Sequence, residues 1–344
     1  MILSVPLVIS IVLVLAVIFV NGWTDAPNAI ATAVSTRCLT PRNAVLLAVV
    51  FNALGAGVMT LFNAKVAETI SNMVSFDTGR SGSNDALIVL AASLAAIVIW
   101  ATAAWYFGIP TSESHALIAG ITGGAIALGN GFSAINMSEW SKVLIGLGVS
   151  TILGFGSGFL FVKLIGLLFR NMKRAAANKF FTNGQIFGAA SMAFMHGAQD
   201  GQKFMGVFML ALFLNGAAER GADGSFTIAW WLIILCSVTM GLGTSVGGYR
   251  IIKAVGMDMV KLEKYQGFAA DIAAAGCLLL SSLTGLPVST THTKTTAIMG
   301  VGCARRTSSV NWLVVKDMVL AWVLTFPGCG LIGYLMAKVC LLIF

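Results

Sequence analysis

GIPTSESH, residues 108–115, returns as GLPVSTTH, residues 285–292, with Gly, Pro, Ser and His at the same places. Self-similarity of this kind, sought before any helix is assigned, decides the architecture: the chain is built from two related halves. A second matching element lies upstream of each copy. Gly22, Asp25 and Asn28 stand in GWTDAPN, and Gly197, Asp200 and Lys203 in GAQDGQK. The gaps between the first glycines are alike, from 22 to 108 and from 197 to 285. Downstream, Lys142, Thr151, Gly154 and Gly156 align with Lys316, Thr325, Gly328 and Gly330 at one constant spacing. The halves are expected at residues 1–168 and 185–344, joined by a basic connection at 169–184.

Composition says where such a chain folds. Of 344 residues, 58% are hydrophobic and only 10% charged, which excludes an ordinary water-soluble domain. Apolar runs of spanning length recur, for example residues 86–107 and 230–248, and in a bilayer their backbone satisfies itself as helix. The formal charge of +8 does not point to nucleic acid. Arg170, Lys173, Arg174 and Lys179 fall in one connection and Arg250, Lys253, Lys261 and Lys264 in another, as the positive-inside rule distributes them. The six cysteines are scattered without a CxxC pair, so neither a metal site nor a disulfide framework is expected. The N-terminus lacks a basic region before its apolar run and reads as a retained helix.

Each half reads as five hydrophobic segments, in the first half 4–34, 44–64, 86–107, 109–128 and 143–169. An odd number of crossings turns the second half upside down. With the basic connection cytoplasmic, both termini lie outside, and Arg37, Arg42, Arg305 and Arg306 lie inside. The third and fourth segments are either two spans or one re-entrant hairpin, and the sequence leaves both open. The expected class is an all-α polytopic membrane protein of two inverted-topology repeats, with broken helices and re-entrant hairpin segments, about 10–12 helical segments in all. That architecture is characteristic of secondary transporters, whose sites lie near the midplane where the repeats meet.

Asp200 falls at the centre of the apolar run 185–215, where an ionisable group costs ~2.5–3.5 kcal/mol, and so calls for a role. Asp25 and Asn28 are three apart and share a helix face, while Gly22 and Pro27 invite a break that frees backbone carbonyls beside the carboxylate. Such a place suits a small hard cation. Thr111, Ser112 and Ser114 in one half, and Ser289, Thr290 and Thr291 in the other, follow Gly and Pro and open a new apolar segment. Hydroxyls there cap exposed N–H groups, and a helix start favours an anion; plain N-capping is the simpler reading. His115 and His292 read either as proton carriers or as groups that fix the hairpins. Asp271 and Lys294, near segment ends, read as interfacial anchors. Asp25, Asp200 and Glu113 outweigh Lys203, so an anion enters a site made from them only together with cations or protons.

These residues carry a resemblance. HGAQDGQK resembles the HGANDAQK element, and PVSTTH followed by AIMGVG the second-half signature, of the inorganic phosphate transporter (PiT) family; NGWTDAPNAIATAVSTR is similar to its first-half element. The resemblance extends over nearly the whole chain. It implies symport of inorganic phosphate with sodium or protons across the cell membrane, with no other cofactor and no enzyme activity. It also implies hairpin tips meeting at a central site. Carried over by position, Asp25, Asn28, Ser112, Glu113, Ser114, Asp200, Gln202, Lys203, Ser289, Thr290 and Thr291 would hold phosphate, and Thr24, Asp25, Asn28, Gln199 and Asp200 the cation. The chain departs from the family at Thr24 and Gln199, where many members have Asn, and at Glu113, where a small hydroxyl residue is frequent. Homo-oligomerisation, as a dimer, stays open.

Sulfate is the alternative cargo, because a hydroxyl-lined cradle fits either tetrahedral oxyanion. A membrane-embedded hydrolase would need one asymmetric constellation, whereas here Ser and His are three apart and duplicated. A passive anion channel is disfavoured by buried acids that repel the permeant ion.

Overall fold

The computed structural model describes residues 4–76, 78–109, 111–221 and 225–344, with no side-chain description for 78–81 and 130. Pro110, one member of the repeated motif, lies outside the described residues. Thirteen α-helices make up almost all of it. In chain order they are α1 (Val5–Thr24), α2 (Pro27–Ser35), α3 (Pro41–Phe62), α4 (Lys65–Asn72), α5 (Gly82–Tyr106), α6 (Glu113–Ala125) and α7 (Met137–Leu168). There follow α8 (Arg174–Leu214), α9 (Trp230–Ser245), α10 (Tyr249–Lys253), α11 (Lys264–Thr284), α12 (Thr290–Arg305) and α13 (Trp312–Ile343). Six helical stretches are long and apolar enough to cross a membrane, or seven if α9 and the segment after it count as one span bent by 68°. α8 is not among the six, because its middle carries His196, Gln199, Asp200, Gln202 and Lys203, all fully buried.

The elements run in two sets of matching order. α1 and α2 correspond to α8, α3 to α9, α4 to α10, α5 to α11, α6 to α12 and α7 to α13. Two isolated antiparallel bridges, Val74 with Ile135 and Val260 with Val310, sit at equivalent places just ahead of α7 and α13. Helices of each set pack against the other: α7 on α12, α13 on α6, and α3 on α8. The two sets are therefore interleaved. Neither could bury its polar segments alone.

Burial follows from what each helix must hide. α7 and α13 present Leu144, Ile152, Leu160, Leu320, Leu324 and Leu331 outward, as a lipid-facing helix requires. At 32 residues each, they are ~48 Å long and exceed a ~30 Å hydrocarbon core. α6 is the opposite case. All 13 of its residues are buried, and it is too short to cross. With α5 it makes a hairpin whose turn is exposed at Phe107 and Ile109 but whose tip on the α6 side, from Ser112 on, lies inside the protein, and α11 with α12 buries its tip from Ser289 on. Polar backbone at such a tip is tolerated only because protein surrounds it. Most of the basic connection is helical, since α8 begins at Arg174.

One difference between the sets follows directly from sequence. α1 stops at Thr24 and α2 restarts at Pro27, which has no N–H and withholds the helical bond from the Trp23 carbonyl. The equivalent residue in α8 is Gln202, so α8 runs through the same place unbroken.

Candidate functional site

The two motif glycines set the geometry. A Cβ on Gly22 would strike the Met240 carbonyl of α9, and a Cβ on Gly197 the Asn52 carbonyl of α3. Only a hydrogen lets α1 and α8 lie this close to their neighbours. Three residues later, Asp25 and Asp200 face one another: an oxygen from each, with a ring nitrogen of His196, all lie within 4.8 Å.

Asp200 is held on both oxygens. Oδ1 accepts from Lys203 Nζ at 2.7 Å and Ser114 Oγ at 3.4 Å. Oδ2 accepts from Asn21 Nδ2 at 3.1 Å and Thr290 Oγ1 at 3.2 Å, with His196 Nε2 at 3.4 Å. Lys203 spends its remaining donors on Ser114 Oγ and the Val288 carbonyl, both at 2.6 Å. A buried lysine with three short bonds to oxygen is the arrangement that keeps such a charge tolerable. Asp25 has no such cation. Its Oδ1 accepts from Asn28 Nδ2 at 2.6 Å and from the Thr291 hydroxyl, and its Oδ2 has no donor.

The hairpin tips close the site from the other side. Ser112 and Ser289 N-cap α6 and α12, accepting from the His115 N–H at 3.3 Å and the His292 N–H at 3.1 Å. The two caps touch, with Ser289 Oγ donating to Ser112 Oγ at 2.8 Å. Two helix starts thus converge, each offering the uncapped amides of its first turn to an anion. Behind them His115 and His292 stack edge to face at 4.3 Å, backed by Phe326 and Trp322. Both rings sit in aromatic packing behind the tips.

A set of buried oxygens in the same region has no hydrogen-bond donor. They are Asp25 Oδ2, Asn21 Oδ1, Asn28 Oδ1, Glu113 Oε2, Gln199 Oε1 and Gln202 Oε1. Buried acceptors left without donors are uncommon, and oxygens of this kind are the ligand type that a hard cation takes.

Most of the residues singled out in the sequence come together here. Asp25, Asn28 and Thr291 form one hydrogen-bonded group and Asp200, Lys203, Ser114 and Thr290 another, and the nearness of the two acids brings both into one site. Ser112 and Ser289 cap it, while Glu113 and Gln202 are buried without partners for Glu113 Oε2 and for the Gln202 amide. Gln199 Nε2 donates to the Leu286 carbonyl at 3.3 Å. Thr24 is the outlier: its hydroxyl donates to Val20 of its own helix at 2.8 Å and makes no bond in the network. Asn21 and His196 were missed by sequence reasoning. They are repeat equivalents, one turn before each aspartate, so extending the motif comparison four residues upstream would have found both. Asp271 and Lys294 correct an expectation. They are fully buried and ion-paired with each other, not interfacial anchors, since each supplies the charge the other needs inside the protein.

Interleaved helix sets, buried helix starts and charged side chains sealed inside an apolar bundle define a polytopic membrane transporter. A sequence model described as the phosphate transporter family matches residues 21–333. A probable low-affinity inorganic phosphate transporter of Bacillus subtilis (strain 168) is 40% identical over 333 residues, covering 96% of both chains. One of the same description from Rhizobium meliloti (strain 1021) is 38% identical over 334 residues, 97% of this chain and 96% of its own. A solved structure titled "The sodium-dependent phosphate transporter" matches the fold with a TM-score of 0.88 at 24% identity, over 99% of this chain and 100% of that one. The chain belongs to the phosphate transporter family.

Proposed function

We propose that this protein moves inorganic phosphate across the cell membrane by symport with sodium or protons. One observation carries the reading: two acids from mirrored motifs meet, at the buried centre, the serine-capped starts of two re-entrant helices. The helix starts attract an oxyanion and the acids repel it, so the anion gains entry only when positive charge accompanies it.

In this reading Lys203 and the hydroxyls of Ser112, Ser114, Ser289, Thr290 and Thr291 bind phosphate oxygens. Glu113 and Gln202 complete its shell, and a protonated phosphate oxygen donates to a carboxylate. Asp25, Asn28, Gln199 and Asp200 bind the cation, with the Asn21 oxygen as a further ligand. The repeats at 1–168 and 185–344 exchange access by rocking about this site. The basic connection at 169–184 faces the cytoplasm and both termini face outward.

The test is uptake of labelled phosphate into proteoliposomes, with sodium and pH gradients imposed separately and sulfate as competitor. Accumulation driven by one of the two gradients is expected, with sulfate a weak competitor. Uptake indifferent to both gradients sinks the symport reading, and full competition by sulfate sinks the choice of anion.

A further inference from the structure

A second polar cluster lies away from the central site, and its charged pair has no charged counterpart in the other repeat. Lys294 and Asp271 form a buried ion pair, and Thr32 binds both partners, donating to Asp271 Oδ1 and Oδ2 at 2.8 Å and accepting from Lys294 Nζ at 3.1 Å. Gln185 Nε2 donates to Asp271 Oδ2 at 2.6 Å, while Gln185 Oε1, fully buried, has no donor. Four helices contribute: α2, α8, α11 and α12.

Position gives the cluster its meaning. Asn28, Thr32 and Thr36 succeed one another every fourth residue of α2, so they share a face and are ~6 Å apart in rise. Asn28 bonds Asp25 and Thr291 in the central site. Thr36 lines a cavity of about 1020 Å³ whose wall also holds Arg37, Arg174, Lys264 and Glu263, three cations to one acid. Gln185 Oε1 and Thr36 lie against the same glycine, Gly267. On α12, Lys294 follows Thr291 by one turn. The ion pair therefore stands between the central site and a basic vestibule.

Three of the four mirrored positions are apolar, and the fourth, equivalent to Gln185, is Ser10, whose hydroxyl donates to the Leu87 carbonyl. The shift that carries Gly108 onto Gly285 puts Leu94 and Leu117 where Asp271 and Lys294 stand, and the shift that carries Asp25 onto Asp200 pairs Thr32 with Val207. Leu94, Leu117 and Val207 are all fully buried. Packing alone is satisfied by leucine at these positions, and replacing a buried ion pair by apolar residues is often neutral or stabilising. The charges need another reason.

We propose that Lys294, Asp271, Thr32 and Gln185 form a relay site for the transported oxyanion between the central site and the basic vestibule. Asp271 is the resting counter-ion of Lys294. As the anion passes, it takes the ammonium from Asp271, whose carboxylate keeps the Thr32 hydroxyl and the Gln185 amide as donors. Gln185 Oε1 then accepts from a phosphate O–H, a donor that sulfate lacks near neutral pH. The inference rests on the phosphate-transport reading.

Two measurements on the purified full-length chain test it: equilibrium binding of labelled inorganic phosphate in detergent, and exchange of labelled phosphate in proteoliposomes. Lys294→Gln and the paired Asp271→Leu, Lys294→Leu variant should bind phosphate within about threefold of the unmodified protein yet exchange it at least about tenfold more slowly. Lys294→Arg should recover at least a third of the exchange rate. The paired leucine variant keeps the test valid if the single variant fails to fold, since it leaves no unpaired charge. Exchange at the unmodified rate by the paired variant would show a packing element only and overturn the relay. Failure of the unmodified protein to bind phosphate would overturn the transport reading itself, and is distinguished by appearing before any substitution is made.

Discussion

Asp25 and Asp200 are repeat equivalents, equally buried and close to one another, yet their surroundings differ. Asp200 sits on an unbroken helix with Lys203 one turn away, bonded on both oxygens. Asp25 sits at the break before Pro27 with Asn28 in the place of that lysine, and one of its oxygens has no donor. Duplication supplied two acids at the centre, and divergence at two positions gave them different work. In the transport cycle proposed above, Asp200 also holds the lysine of the anion cradle, and Asp25, with no cation of its own, is the acid most in need of a mobile one. A buried carboxylate without a cation is costly, and in the proposed cycle a bound positive charge would relieve that cost.

The largest effects should come from the acids themselves. Asp25→Asn and Asp200→Asn are each expected to abolish gradient-driven phosphate accumulation in proteoliposomes, by about a hundredfold or more. They should separate in stability. Asp200→Asn strands Lys203, at a cost on the order of 3–5 kcal/mol, and should lower the detergent unfolding midpoint, whereas Asp25→Asn should leave it unchanged or raise it. Equal midpoints would erase the distinction drawn between the two acids.

Next in size is Lys203→Asn, which gives the second motif the residue of the first. Loss of a charge-assisted contact of ~1.5–3 kcal/mol predicts phosphate binding weaker by about 10–100-fold in equilibrium dialysis. Unchanged affinity would remove Lys203 from the cradle. Gly197→Ala and Gly22→Ala should each cost ~1–3 kcal/mol of stability, read as reduced folded yield, because α8 and α1 can no longer approach α3 and α9. The smallest effect belongs to the caps. Ser112→Ala and Ser289→Ala should each lose ~1 kcal/mol, about fivefold in phosphate affinity, and a clear inequality between them would show that one tip carries the anion.

The acids, the caps and the pairing of the halves were legible because a duplicated motif repeats residue types at fixed spacing. Asn21 and His196 escaped because nothing in their own neighbourhoods marks them; only their alignment with each other does. Asp271 and Lys294 escaped for a different reason. They are 23 positions apart on separate helices and their repeat equivalents, Leu94 and Leu117, are apolar, so no local pattern joins them.

Periodicity, composition and repetition are local properties of a chain, and they were enough to read a membrane-embedded, all-helical chain with its acids and hydroxyls at matching places, whereas the interleaving of its helices came from the structure. Which oxygen lacks a donor, which lysine reaches which carboxylate, and that one side of the site is polar while its mirror is leucine are facts of packing between helices. They depend on how distant segments are rotated and set against each other, and the tertiary structure alone decided them.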